Sequence, residues 1–216
     1  MKNIAVILAG CGTKDGSEIN ETVTLLLALD QHGLKYQCFA PDSNQYQVVN
    51  HVTGEVANEE RNMMVEAARI VRGNILPMSE FNADNFDGLA IPGGVGVANN
   101  IFTYFIDGMQ MTVLPEVRDA IVKIHEQNKP IAAMCIAPVL LANVLKDITI
   151  TLGSDECGPA KDIVEMGAHH LATKNGEVAS DLKNKIFTTP CFMLESTLKD
   201  IYEDACNLVD AFAKAL

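Results

Sequence analysis

Six short apolar runs recur along the chain and read as buried strands: residues 4–9, 36–40, 89–92, 131–134, 148–152 and 186–190. Amphipathic stretches of helical period lie between most of them. Residues 17–31 carry Ile19, Val23, Leu26, Leu27 and Leu29. Residues 59–71 carry Met63, Met64, Ala67 and Ile70. A third helix is expected over 115–127, opening on a proline as a first helical turn allows, a fourth over 137–145 and a last over 197–216. Continuous apolar strands alternating with helices predict a mostly parallel sheet covered on both faces. Asn175-Gly176, between short β-like pieces, predicts a small antiparallel hairpin added to that sheet. The interval 42–77 holds a polar loop and the 59–71 helix, and reads as an insertion beside a site.

No repeat, low-complexity tract or linker divides the 216 residues, so a single domain spanning 1–216 is expected. A formal net charge of −12 argues against nucleic acid or an anionic membrane as a partner, since both select a basic face. The six cysteines, at 11, 38, 135, 157, 191 and 206, are scattered and form no CxxC pair. The opening "MKNIAVILAGCG" has too short an apolar run for a signal peptide and reads as a strand. A cytoplasmic protein with reduced thiols is therefore expected. No His/Cys/Asp spacing suggests a metal site, and no cofactor motif stands out.

The stretch "PIAAMCIAPVLLANVL" carries the candidate chemistry. Cys135 falls where a strand pattern gives way to a helix pattern, which lifts a side chain above the carboxyl edge of a parallel sheet. Ala132, Ala133 and Ala137 relieve the crowding of such a bend, and Pro138 starts the helix without wasting an amide donor. A sulfur at the helix N-terminus is expected to have a lowered pKa and to stand exposed as a thiolate. Two more loops reach the same edge. "AGCGTKDGSEINE" follows the first strand, with Ser17 or Asp15 as the expected helix cap and Glu18 projecting near the edge. "IPGGVG" follows another strand; the amides at Gly93 and Gly94, with that of Ile136, make a candidate oxyanion hole.

Taken together, "ILAGCGTKDGSEINE", "CFAPD", "HVTGE", "RNMMVEAARIVRG", "IPGGVG", "MCIAPVLLANV", "LGSDE", "VEMGAHH" and "TTPCFML" resemble the ElbB family nearly end to end. That family comprises glyoxalase-like proteins often labelled isoprenoid biosynthesis proteins with an amidotransferase-like domain. It lies in the PfpI and deglycase branch of the class I glutamine-amidotransferase-like superfamily. The resemblance implies a flavodoxin-like three-layer sandwich, a homodimer, and a nucleophile-elbow cysteine paired with a glutamate from the loop after the first strand, here Cys135 and Glu18. The chain departs from its peptidase and glutaminase cousins. Ile136 follows the cysteine where PfpI-type peptidases have histidine, "TTPCFMLE" lacks the His-x-Glu pair of amidotransferases, and "TLGSDE" replaces the deglycase histidine. Peptidase and glutaminase roles are therefore not expected.

The resulting expectation is a cofactor-independent conversion of glyoxal or a similar small dicarbonyl to a hydroxy acid, with Cys135 as nucleophile and Glu18 shuttling the proton. The alternative is a redox-responsive accessory protein of isoprenoid metabolism with little turnover. Cys11 and Asp155 are candidate pocket residues. For Cys11, plain packing is preferred to a transient pairing with Cys135. His169 and His170 read as surface or subunit-contact residues, since neighbours on a strand face opposite ways.

Overall fold

The computed structural model describes residues 1–216. In chain order the strands are β1 (Asn3–Ile7), β2 (Lys35–Ala40), β3 (Val48–Val49), β4 (Val56–Ala57), β5 (Ile75–Pro77), β6 (Gly88–Ile91), β7 (Ile131–Met134), β8 (Thr149–Ile150), β9 (His169–His170), β10 (Ala179–Asp181) and β11 (Ile186–Thr189). The helices are α1 (Ile19–Gln31), α2 (Met63–Ala67), α3 (Val97–Asn100), α4 (Tyr104–Asp107), α5 (Pro115–Glu126), α6 (Ala137–Val144), α7 (Gly158–Glu165) and α8 (Leu198–Ala213).

Seven strands form one sheet in the order β10-β11-β7-β6-β1-β2-β5, parallel except for β10. Every residue of β6, β7 and β11 is buried, as a sheet covered on both faces requires. Helices α1 and α8 pack together on one side, and α5 and α6 pack with each other against β6 and β7. The flavodoxin-like sandwich is thus the observed fold, and a core of 57 buried residues runs through its layers. The carboxyl ends of β1, β6, β7 and β11 converge on one edge, because Val6 is level with Ala90, Ile91 with Ala133 and Met134 with Thr189.

Several local expectations are corrected. The run 148–152 does not join the main sheet. The amide of Thr149 donates to Asp181 Oδ2 (2.8 Å) and that of Thr151 to Thr188 Oγ1 (2.9 Å), so side chains of β10 and β11 take the donors a ladder would use. Its strand β8 pairs with β9 instead. The antiparallel β10–β11 hairpin turns through residues 182–185. Asn175-Gly176 lies earlier, and the Gly176 amide is anchored to Asp204 Oδ1 of α8 at 2.6 Å. The 59–71 helix shrinks to α2, capped by Asn62. Helix α7 and edge strand β5 fall where no element was expected.

The 42–77 interval contains the β3–β4 hairpin and is fastened to the loop after β1. Val49 donates to Asp15 Oδ2 (2.8 Å), and Tyr46 to Asn100 Oδ1 (2.9 Å); the Asn100 amide in turn donates to the carbonyls of Ala9 and Asp15. Gly88, at the start of β6, touches α8 so closely that a Cβ there would meet Phe212 Cζ at 2.6 Å and the Pro130 carbonyl oxygen at 3.0 Å. Replacing Gly88 with Val is expected to destabilise the protein by about 2 kcal/mol through overpacking, read as a lowered midpoint in urea unfolding with an unchanged slope.

Candidate functional site

Cys135 sits directly after β7 with φ +59°, the left-handed conformation of a sharp strand-to-helix bend, and its amide donates to the Thr189 carbonyl at 3.0 Å. The bend is as expected from the sequence, but the exposure is not: Cys135 is 7% exposed. The amides of Ile136 and Gly94 face its sulfur. Gly93 lies against it, and a Cβ on residue 93 would stand 2.5 Å from the Cys135 Cβ and 2.9 Å from Glu21 Oε2. No side chain fits between the two loops.

The carboxyl that meets the thiol is that of Glu21, not Glu18. Glu18 is the N-cap of α1. Its backbone is extended, its Oε2 accepts from the Glu21 amide at 2.7 Å, and its Oε1 accepts from Asn20 Nδ2 at 3.3 Å. Its own amide is tied to the Gly93 carbonyl at 2.9 Å. A cap turns its carboxylate back onto its own helix, and the residue three positions later then points inward. The expected caps are used elsewhere: Ser17 Oγ accepts from the Ala9 amide at 2.9 Å, and Asp15 binds Val49. Sequence reasoning missed Glu21, although "EINE" holds the signal. A cap at 18 makes 21 the third helical residue, the position that faces back across the first turn.

Glu21 is fully buried. Its Oε2 accepts from the Gly93 amide at 2.9 Å, and it faces the Cys135 thiol and the Phe192 amide. Oε1 has no hydrogen-bond partner. Burial, and then the charge of Glu18, push Glu21 up to about 8, against the pull of the thiol and the two amides. Burial also pushes the Cys135 thiol far up, and Glu21 adds to that; the Ile136 and Gly94 amides act the other way. The helix-terminus expectation of a lowered thiol pKa therefore fails. Desolvation of a nearly enclosed sulfur outweighs the dipole of a helix only eight residues long. Glu18 is itself raised by burial, opposed by its bonds to Glu21 and Asn20.

Gly93, Gly94 and Ile136 thus gather with Cys135, but the Gly93 amide expected in an oxyanion hole is taken by Glu21 Oε2, which leaves those of Gly94 and Ile136 facing the sulfur. Cys11 does not join them. It is half-buried beside Glu66, Arg69 and Asp15, facing the 42–77 segment. Asp155 is also apart. It is largely exposed, pairs with His170 Nδ1 at 2.7 Å, and lines a separate cavity of about 680 Å³ with Ser154, Lys174 and Glu195. His170 Nε2 accepts from the Leu152 amide, so Nδ1 carries the proton given to Asp155. His169 turns the other way, to Asp147. None of the surface cavities is lined by Cys135 or Glu21. No helix is long and apolar enough to cross a membrane.

No protein-family profile matches the chain. Individual relatives do. A human protein named glutamine amidotransferase-like class 1 domain-containing protein 3, mitochondrial, is 39% identical over 209 residues, 93% of this chain and 78% of the relative. The rat ES1 protein homolog, mitochondrial, is 38% identical over 93% of this chain and 79% of its own length. Among solved structures, the isoprenoid biosynthesis protein with amidotransferase-like domain from Ehrlichia chaffeensis superposes with a TM-score of 0.92 at 37% identity, over 99% of this chain and all of that one. Drosophila DJ-1beta shares the fold alone, with a TM-score of 0.58 at 18% identity over 99% of this chain and 92% of its own. The mammalian relatives are mitochondrial by name, so the cytoplasmic expectation draws no support from them.

Burial pushes Glu21 up to about 8 in the folded chain, against 4.5 for an ordinary glutamate. Between those values the native state holds a proton that the unfolded chain has released, so stability falls as pH rises across that window. Glu21→Gln is expected to flatten this slope, which accounts for roughly 2–4 kcal/mol between pH 5 and pH 8 by linkage. Urea unfolding of both proteins at a series of pH values measures it.

Proposed function

The chain belongs to the family of ElbB- and ES1-like amidotransferase-like proteins, and on that premise we propose that it converts glyoxal or a similar small dicarbonyl to a hydroxy acid without a cofactor. The observation that carries this reading is the buried carboxyl of Glu21, held between the Gly93 amide and the Cys135 thiol. Acid and nucleophile are adjacent, and a carboxyl near 8 exchanges protons readily at physiological pH.

In the proposed reaction the Cys135 sulfur bonds to one aldehyde carbon, and the thiol proton passes through Glu21 to the new oxyanion, giving a hemithioacetal. The Gly94 and Ile136 amides, which face the sulfur, steady the oxygen while it is charged. Glu21, as carboxylate, then takes the proton from the thiol-bearing carbon and returns it to the neighbouring one. The product is a thioester of the hydroxy acid. Water cleaves it, restoring the thiol, so that glyoxal plus water gives glycolate and a proton. Glu18 is a positioning residue here: it caps α1 and its charge raises Glu21. This assigns to Glu21 the shuttle role expected of Glu18.

A second reading is a redox-responsive protein with little turnover. The low exposure of Cys135 favours it, because a nearly enclosed sulfur limits turnover of a carbonyl substrate. The Ehrlichia neighbour's name places that protein in isoprenoid biosynthesis, and the second reading would put this chain in an accessory role there.

A homodimer is part of the proposal. Val23 and Leu27 of α1 and Leu198 and Tyr202 of α8 are exposed side by side around a cavity of about 600 Å³. A second copy of the chain would cover this apolar strip, which continues from the first turn of the helix that carries Glu21.

Glu21→Gln is expected to lower kcat/KM for glyoxal by at least about 100-fold, the usual size of a lost general base. Glu18→Gln is expected to keep activity and to move the rise of kcat/KM to lower pH, because it removes a charge that lifts Glu21. A Glu18→Gln variant as inactive as Glu21→Gln, or a Cys135→Ala variant that turns over glyoxal normally, sinks the reading. Leu27→Glu is expected to convert the dimer to a monomer in analytical ultracentrifugation; a wild-type chain that already sediments as a monomer refutes the interface.

A further inference from the structure

A second buried thiol–carboxyl couple stands behind the first. Cys191 follows β11 as Cys135 follows β7, and these are neighbouring parallel strands. Met134 is level with Thr189, so Cys135 is level with Pro190 and Cys191 lies one residue further. Neighbouring parallel strands run about 4.8 Å apart up to Met134 and Thr189, and just beyond them the two thiols lie near enough for the charge of one to act on the other. Both cysteines have positive φ, +59° and +46°, so both chains bend sharply at the same level. The residue after Cys191 presents its amide to Glu21, the carboxyl that also meets Cys135. Glu21 therefore lies between the two bends.

Cys191 is fully enclosed and has a carboxyl of its own. Asp204 of α8 is equally buried. Its Oδ1 accepts from the Gly176 amide at 2.6 Å and its Oδ2 has no hydrogen-bond partner, while the carboxyl as a whole faces the Thr189 hydroxyl and the Cys191 thiol and amide. Thr189 gives its hydroxyl proton elsewhere, to the Glu177 carbonyl. A buried carboxyl oxygen left unpartnered is costly, so its retention calls for an account. Glu21 Oε1, beside the other thiol, is unpartnered in the same way.

We infer that Cys191 is the resolving thiol of Cys135: after a hydroperoxide oxidises Cys135, Cys191 closes a reversible disulfide with it and protects the site from further oxidation. In the first step the Cys135 sulfur displaces alcohol or water from the hydroperoxide and becomes a sulfenic acid, the peroxide oxygen being reduced. In the second, Cys191 passes its proton to Asp204 Oδ2 and attacks the Cys135 sulfur. The S–O bond breaks, and the departing oxygen takes the proton of Glu21 and leaves as water. One hydroperoxide is consumed for each disulfide, and a dithiol reductant restores both thiols. The inference rests on Cys135 being the reactive thiol of the proposed site and is independent of dicarbonyl turnover.

The test is intact-mass and peptide analysis of the full chain after mild hydrogen peroxide treatment, without reductant. The wild type is expected to lose two hydrogens and to yield a cross-linked peptide pair containing Cys135 and Cys191. Cys191→Ser is expected instead to carry two or three oxygens on Cys135, an over-oxidised state from which dithiothreitol does not return the thiol to alkylation, whereas the wild-type disulfide is reduced and both thiols are recovered. Oxygen accumulating on wild-type Cys135 while Cys191 stays open to alkylation after unfolding overturns the inference, as does a link from Cys135 to Cys11. Should Cys191→Ser fail to fold, the wild-type peptide map decides alone. Absence of glyoxal turnover with the cross-link present would defeat the dicarbonyl reading and leave this one standing.

Discussion

The arrangement depends on one carboxyl kept out of water. Glu21 has no cation beside it: it accepts one hydrogen bond, from the Gly93 amide, it faces the Phe192 amide and the Cys135 thiol, and the charge acting on it is that of another glutamate. Such a group is tolerated in a core mainly by holding its proton, and a held proton is what proton-transfer chemistry requires. The rest of the edge serves this condition. Gly93 lets the chain pass within contact of both the cysteine and the carboxyl, and the Glu18 amide bonds to the Gly93 carbonyl to close the two loops on each other. The alanine-rich β7 keeps the bend narrow.

Burial of the sulfur changes the chemistry open to it. An exposed thiolate at a helix end reacts with any small electrophile. A protonated thiol beside a proton-holding carboxyl reacts when a partner arrives that accepts both sulfur and proton. Carbonyl compounds and hydroperoxides both meet that condition, since each offers an electrophilic centre and a basic oxygen. This shared requirement links the dicarbonyl reading to the second thiol behind it, because one site geometry supports addition to carbon and attack on oxygen.

Much of the fold is legible in the sequence, because parallel strands buried on both faces leave long apolar runs. Five of the six expected strands lie in the main sheet. The sixth, at 148–152, is as apolar as the others, but its amides are taken by Asp181 and Thr188, which no local pattern announces. Strand β5 was missed because half-buried edge positions lack a strong period. At the site, Cys135, Gly93, Gly94 and Ile136 could be read from the elbow and the glycine pair, since both reflect backbone demands that restrict residue type. The carboxyl that meets the thiol lies three positions beyond the one the sequence suggests. Glu18 and Glu21 are chemically identical in sequence, and only the phase of α1, set by which residue caps it, decides which points inward. Cys191 and Asp204 join the site through two adjacent parallel strands and a terminal helix, long-range neighbours invisible to spacing.

That dependence on helix phase has an evolutionary corollary. Each residue of an α-helix is rotated by about 100° from the last. A one-residue change in the 8–18 loop that slipped α1 by one position against the sheet, the cap moving along the chain, would leave every strand in place. It would also swing residue 21 away from the sulfur and bring a neighbour round in its stead. Lineages descended from such a chain would keep the architecture while their chemistry fell silent, so loop length between β1 and α1 is a sharper mark of a competent site than the presence of the cysteine.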